Sequence, residues 1–182
     1  MPNWTNNRLT ITHKDKDVMD SLMAQVRATD TLFNVIHPMP ENTFHGNLGS
    51  DEREMCEREG RPNWYDWCSE NWSTKWDAVQ LDYNQHDDNS VSFDFDTAWC
   101  APYGVYNELA EQGFEVEAYY VSFENWDAGE WHYDPENPTD VHDVHINDID
   151  DGVTDDIDEA FDVTRQVQEY KDEVERMNDD EV

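Results

Sequence analysis

The chain has 182 residues, of which 44 are acidic and 11 basic, for a formal net charge of −33. A surface of that sign repels DNA, RNA and anionic lipid and attracts basic proteins or cations, which makes a conventional nucleic-acid binder the least expected class before any motif is read. Eight Trp, eight Tyr and seven Phe are too many for a disordered acidic polymer, so most of the chain is expected to fold around an aromatic-rich core.

The first element in chain order is a strand over Arg8–Thr12, where apolar and polar residues alternate with Leu9 and Ile11 inward. From Asp15 the period changes. Val18, Leu22 and Val26, with Met19 and Met23 beside them, predict an amphipathic helix ending near Thr29. Residues 33–49 contain Pro38, Pro40, Gly46 and Gly49 and read mostly as loop. Residues 51–61 are highly charged and predict a short exposed helix. Next comes the densest aromatic cluster, in which Trp64, Trp67 or Cys68, and Trp72 are three to four residues apart, so that a helix gathers them on one face.

Val79–Tyr83 and Val91–Phe95 alternate strictly and are joined by the polar stretch Gln85–Asn89, the pattern of a hairpin. Pro102 opens a helix whose buried face is Val105, Leu109 and Ala110, and Gly113 ends it. Phe114, Val116, Ala118 and Tyr120 form the next strand, with Asp127-Ala128-Gly129 read as the turn back through Trp131 and Tyr133. This β-α-β-β-α-β order, with insertions after the first helix, predicts an α+β ferredoxin-like sandwich carrying an inserted Trp-rich helix. From Asp134 onward the chain has 19 acids and 3 bases. Residues 134–182 are therefore read as an acidic extension of the domain at 1–133. Ile157, Phe161, Val167, Tyr170, Val174 and Met177 predict an amphipathic C-terminal helix that docks on the sheet or on a partner.

The segments Asn63-Trp64-Tyr65-Asp66-Trp67 and Glu70-Asn71-Trp72-Ser73-Thr74-Lys75-Trp76-Asp77-Ala78 resemble the signature of the YubB-type ferredoxin-like family of phages and conjugative plasmids. Met1-Pro2-Asn3-Trp4, Asn7-Arg8-Leu9, Pro38-Met39-Pro40, Phe95-Asp96-Thr97-Ala98-Trp99 and Gly129-Glu130-Trp131 follow in the same order as in that family. The chain departs from the pattern at Ser73, where Gly is usual, at Ala101-Pro102, where a Pro-Pro pair stands, and at Thr5, where Cys is common. The resemblance implies a ferredoxin-like fold and a mobile-element origin, in genomes that often carry genes for evading host defence. It carries no settled activity, so no catalytic residues transfer from it.

Two surfaces are candidates for function. The aromatic cluster Trp64, Tyr65, Trp67, Asn71, Trp72 and Trp76 with Lys75 either lines a pocket that stacks a nucleobase or simply fills the core. The acidic face Asp155, Asp156, Glu159, Asp162, Glu169, Glu173 and Asp180 either mimics the charge of a DNA backbone or is a solvated face suited to high salt. Aspartate in excess over glutamate, with only four lysines, fits both of those readings.

No metal site is assigned. His142 and His145 have an HxxH spacing without an identifiable third ligand, and Asn147–Gly152 fails the calcium-loop pattern. Cys56, Cys68 and Cys100 form no CxxC pair and read as idle thiols. No GxSxG, phosphate-binding glycine loop or HExxH occurs. The sequence therefore predicts a cytoplasmic, non-enzymatic binding protein without a cofactor, directed at a basic host protein such as a defence nuclease. A sponge for a nucleotide-derived signal and a salt-adapted accessory protein are the alternatives, and neither a membrane nor direct nucleic acid is an expected partner.

Overall fold

The computed structural model describes residues 3–139 and 141–180, with side chains to Met177. Its centre is a six-stranded, wholly antiparallel sheet in the order β2-β3-β1-β4-β5-β6. The strands are β1 (Trp4–Thr12), β2 (Val79–Gln85), β3 (Ser90–Ala98), β4 (Glu115–Ser122), β5 (Asp127–Tyr133) and β6 (His142–Ile146). Seven helices are seen among the described residues: α1 (Lys16–Thr29), α2 (Phe33–Ile36), α3 (Ser50–Glu59), α4 (Trp64–Asn71), α5 (Tyr103–Glu111), α6 (Asp155–Phe161) and α7 (Val163–Asp180). The chain is thus mixed α+β.

Alternation sorts the two faces of the sheet. On the front face Leu9 and Ile11 of β1, Val91, Phe93 and Phe95 of β3, and Val116, Ala118 and Tyr120 of β4 pack against α1, α2, α4 and α5. On the back face Tyr119, Val121 and Ala128 are covered by Ile157 of α6 and by Val163 and Val167 of α7. The back of β1 and β3 instead carries a polar ladder, in which Arg8 pairs with Asp94, Asn6 with Asp96, and Thr10 with Ser92. An antiparallel sheet can leave such a polar face to water.

Several local expectations are corrected. Val18 of α1 is exposed, and Met19, Leu22, Met23 and Val26 carry its buried stripe. Residues 33–49 are mostly loop, as expected, apart from α2, whose first turn the Asp77 carboxylate anchors by accepting hydrogen bonds from the backbone N–H groups of Leu32, Phe33 and Asn34. The reversal after β4 comes earlier than Asp127, at residues 123–126, where Trp126 takes a left-handed φ of 64°. Asp127–Gly129 already belong to β5. Strand β6 went unpredicted.

The apolar stripe of the C-terminal segment divides. Ile157 and Val167 are buried, whereas Tyr170 and Met177 are 55% and 60% exposed, so α7 docks through its first half only. Asp162, at φ 55°, separates α6 from α7.

Candidate functional site

The Trp motif is a crossover between α4 and β2, and the physical roles of its residues differ. Asn63 caps α4 by accepting from the Asp66 N–H, and Asp66 is tied in turn to Arg53 of α3 at 2.6 Å. That hydrogen-bonded guanidinium holds the Asp66 carboxyl below its ordinary value. Trp72 is 1% exposed. Its indole N–H donates to the His37 carbonyl at 2.9 Å, and its ring meets Phe33 and Trp67 edge-on. Ser73, standing where the family resemblance expects Gly, has φ 65°, a left-handed conformation that glycine adopts without cost. Thr74 is buried and donates to the Ala98 carbonyl at 2.8 Å.

Gly104 at the start of α5 completes this junction. A methyl group placed on it would stand 2.0 Å from the Asn71 carbonyl oxygen, so the two backbones can approach only because the residue has no side chain. Its N–H donates to the Ser73 hydroxyl.

The seven aromatic-cluster candidates do not form one site. Trp64, Trp72, Lys75 and Trp76 line a cleft of about 580 Å³, together with Met39, Pro40, His45 and Asn34. Tyr65, Trp67 and Asn71 lie outside that lining. Trp67 packs between His37 and Trp72, and the Asn71 side-chain amide is spent on the Trp67 carbonyl. Trp72 is the core floor of the cleft rather than a free binding face. Trp64 and Trp76 are the two indoles open enough to stack on a ligand.

Lys75 also departs from the expected role of a free phosphate ligand. Its ammonium lies 4.4 Å from the Trp76 ring centre, 5.2 Å from Trp99 and 5.9 Å from Tyr65. It is held by a cage of the protein's own aromatic rings. Met39, Pro40 and His45 come from the stretch read as loop. They reach the cleft because Phe44 bridges to Pro62 and Trp64 by two backbone hydrogen bonds, an irregular pairing that leaves no periodic trace in sequence.

The acidic candidates fare differently. Asp155, Asp156 and Glu159 on α6, Asp162 between the helices, and Glu169 and Glu173 on α7 are all exposed. The Asp180 side chain lies outside the described residues. Arg165 pairs with both Asp162 and Glu169, and Lys171 pairs with Asp150, so these two bases neutralise part of the face.

The HxxH pair is divided by the strand it lies on, because residues three apart on a strand point to opposite faces. His145 faces the front, where its Nδ1 is 2.7 Å from the Tyr120 hydroxyl, itself 2.7 Å from that of Tyr103. Gly129 leaves room for this chain, since a methyl there would meet the Tyr120 hydroxyl at 2.3 Å. His142 faces the back, toward Glu130. The three cysteines are unpaired, and burial pushes the Cys68 thiol up to about 12.

No family model matches the chain, and no curated protein does. Among solved structures it is similar to the protein api92 from Yersinia pseudotuberculosis, described with the family model DUF1281, at 12% identity and a TM-score of 0.48. That similarity covers 79% of this chain and 98% of the other. A likeness so slight says nothing of this chain's function. No described helix is long and apolar enough to cross a membrane.

Proposed function

We propose that the chain is a non-enzymatic binding protein whose acidic face engages a basic, nucleic-acid-handling protein of the host cell, in the manner of a DNA mimic. One observation carries the reading. The six described carboxylates of the predicted face are all exposed, on helices fixed to the sheet by Ile157, Val163 and Val167. A fixed array of charge is already arranged for its partner and loses less entropy on binding than a flexible acidic tail. A helix rises about 1.5 Å per residue, and duplex DNA presents one charge per ~1.7 Å of axis. Glu169 and Glu173, four residues apart on α7, stand about 6 Å apart at that rise, so the mimicry proposed is one of sign and fixed placement rather than of linear charge density.

The strand order β2-β3-β1-β4, with helices between β1 and β2 and between β3 and β4, supports a ferredoxin-like core to which β5 and β6 have been added. A phage or plasmid origin and a place in the host cytoplasm belong to the same proposal.

The test begins with a basic protein that tagged chain retains from host lysate at low salt and releases at high salt. Replacing Asp155, Asp156, Glu159 and Glu173 together by Asn or Gln is expected to weaken the affinity of that purified partner at least about tenfold, or ~1.4 kcal/mol. It should also flatten the salt dependence of binding. An unchanged affinity would end the proposal, and a melting point that climbs with salt in the absence of any partner would favour salt adaptation.

A second reading rests on the cleft beside Trp64 and Trp76, whose volume of about 580 Å³ falls in the range of small-molecule sites. If it sequesters a nucleotide, an adenine or guanine nucleotide should quench the tryptophan fluorescence of the protein. The half-exposed Trp76 is the position to vary, and Trp76→Ala should abolish the quenching while the fold persists. Quenching retained in Trp76→Ala would remove the cleft from consideration.

A further inference from the structure

On the back face, at the junction of β4, β5 and β6, three chain segments bring together a set of donors that the acidic-face proposal does not use. His132 of β5 is the cross-strand partner of Glu117 on β4 and of His142 on β6. Glu130, two residues earlier on β5, faces the same side. Glu130 is 5% exposed, and its carboxylate accepts from His142 Nε2 at 2.7 Å and from the Thr154 hydroxyl at 3.2 Å. His132 Nε2 lies 4.0 Å from the other carboxylate oxygen and is buried without a hydrogen-bond partner. The His132 and His142 rings are 5.3 Å apart.

A carboxylate withdrawn from water requires a countercharge, and among the described residues no Lys or Arg pairs with Glu130. Glu117 and Asp156 act on the same His132 and add negative charge. The group is therefore two imidazoles and a buried carboxylate in a field that favours a cation.

We propose that His132, His142 and Glu130 form a zinc site, with Nε2 of each imidazole and one or both carboxylate oxygens as ligands and a fourth position open to water. Nitrogen donors select zinc over calcium or magnesium, which prefer oxygen-only shells. Bonds of about 2.0–2.2 Å in a tetrahedron place neighbouring donors ~3.4 Å apart. The 2.7 and 4.0 Å separations from His142 and His132 to Glu130 bracket that distance. Among the described residues no three such donors already stand around one point. Binding therefore replaces the His142–Glu130 hydrogen bond with two metal bonds through small side-chain rotations, the proton on His142 Nε2 moving to Nδ1. His142 is half-exposed and gives the ion access. Tyr119, which donates to Glu117 at 2.8 Å, orients the neighbouring carboxylate beside the site. Through Thr154 the ion would also brace the start of α6 against the sheet.

The experiment titrates untagged, chelator-treated full-length protein with zinc chloride in a calorimeter, and with calcium and magnesium chlorides as controls for the acidic surface. One zinc per chain is expected, with a rise in melting temperature and a shift of two imidazole resonances. His142→Ala, at an exposed position, should weaken zinc binding at least about tenfold, the lower end of what losing even a supporting group costs. His132→Gln should do the same, and both should leave calcium binding unchanged. The proposal is overturned if zinc binds no more tightly than calcium, or if both variants, shown folded by circular dichroism, bind zinc as the parent does.

Discussion

Trp72→Ala should lower the stability of the folded chain by about 3–5 kcal/mol, the cost of emptying a large aromatic site in a packed core. The side chain is buried to 1% exposure and lies on Phe33, itself packed on Phe95 of β3. Truncation therefore opens a hole between α2, α4 and the sheet. It also leaves the His37 carbonyl without the indole N–H that it accepts from at 2.9 Å. Urea denaturation followed by circular dichroism measures the change. For a chain of this size each kcal/mol corresponds to roughly 2–4 °C in melting temperature. A loss below about 1 kcal/mol would mean that neighbouring side chains collapse into the space, contrary to the close packing described. The variant also separates two properties of the cluster, since Trp76→Ala should silence a ligand in the cleft without comparable damage to the fold.

Gly104→Ala should be worse still, although it adds a single methyl group. The obstacle is the backbone of α4, with the Asn71 carbonyl oxygen at 2.0 Å, its carbon at 2.7 Å and Trp72 Cα at 3.1 Å from the added atom. A flexible side chain could swing aside, but these atoms move only if α4 and α5 separate. That separation loosens Trp72 and the Ser73–Gly104 hydrogen bond together. A penalty above about 4 kcal/mol, in the class of severe single substitutions, is expected. Its signature is a protein that accumulates poorly and binds a hydrophobic dye. A variant that melts within a few degrees of the parent would show that the junction has slack.

The elements with a strong period were legible in sequence. The inward set Leu9 and Ile11, the hairpin of β2 and β3, and the capped helix α5 follow directly from alternation, Pro102 and Gly113. Elements created by distant partners were not. Helix α2 has four residues and depends on Asp77, 43 to 45 positions away, and no local signal announces that bond. Strand β6 is short, with histidine or aspartate at three of its five positions, and pairing with β5 gives it shape. The helical spacing of the C-terminal segment was readable through to Met177, apart from the break at Asp162, but which half would dock depended on where the back face of the sheet ended. For the Trp cluster, spacing placed three indoles, Trp64, Trp67 and Trp72, near one another. The division between buried floor and open wall arose from the loop carried over by Phe44. The His132–His142 pair was invisible for the same reason, since ten residues separate two side chains that only a sheet register brings face to face.

The strand order has a consequence for how this chain behaves in a crowded solution. A sheet that ends in an unpaired strand offers its free N–H and C=O groups to the next molecule, the step that begins fibrous aggregation. A chain stopped after Tyr133 would present β5 as such a margin, beside an uncovered apolar patch of Tyr119, Val121 and Ala128. In the full chain that margin is capped by β6, a five-residue strand with the charged Asp143 at its second position, and the patch lies beneath α6 and α7. At the opposite margin β2 breaks register between Val79 and Asp82, where Gln80 takes a left-handed φ of 54°, so a straight strand cannot add there. Both open ends of the sheet are thus closed to self-templating, one by charge and brevity and the other by a kink.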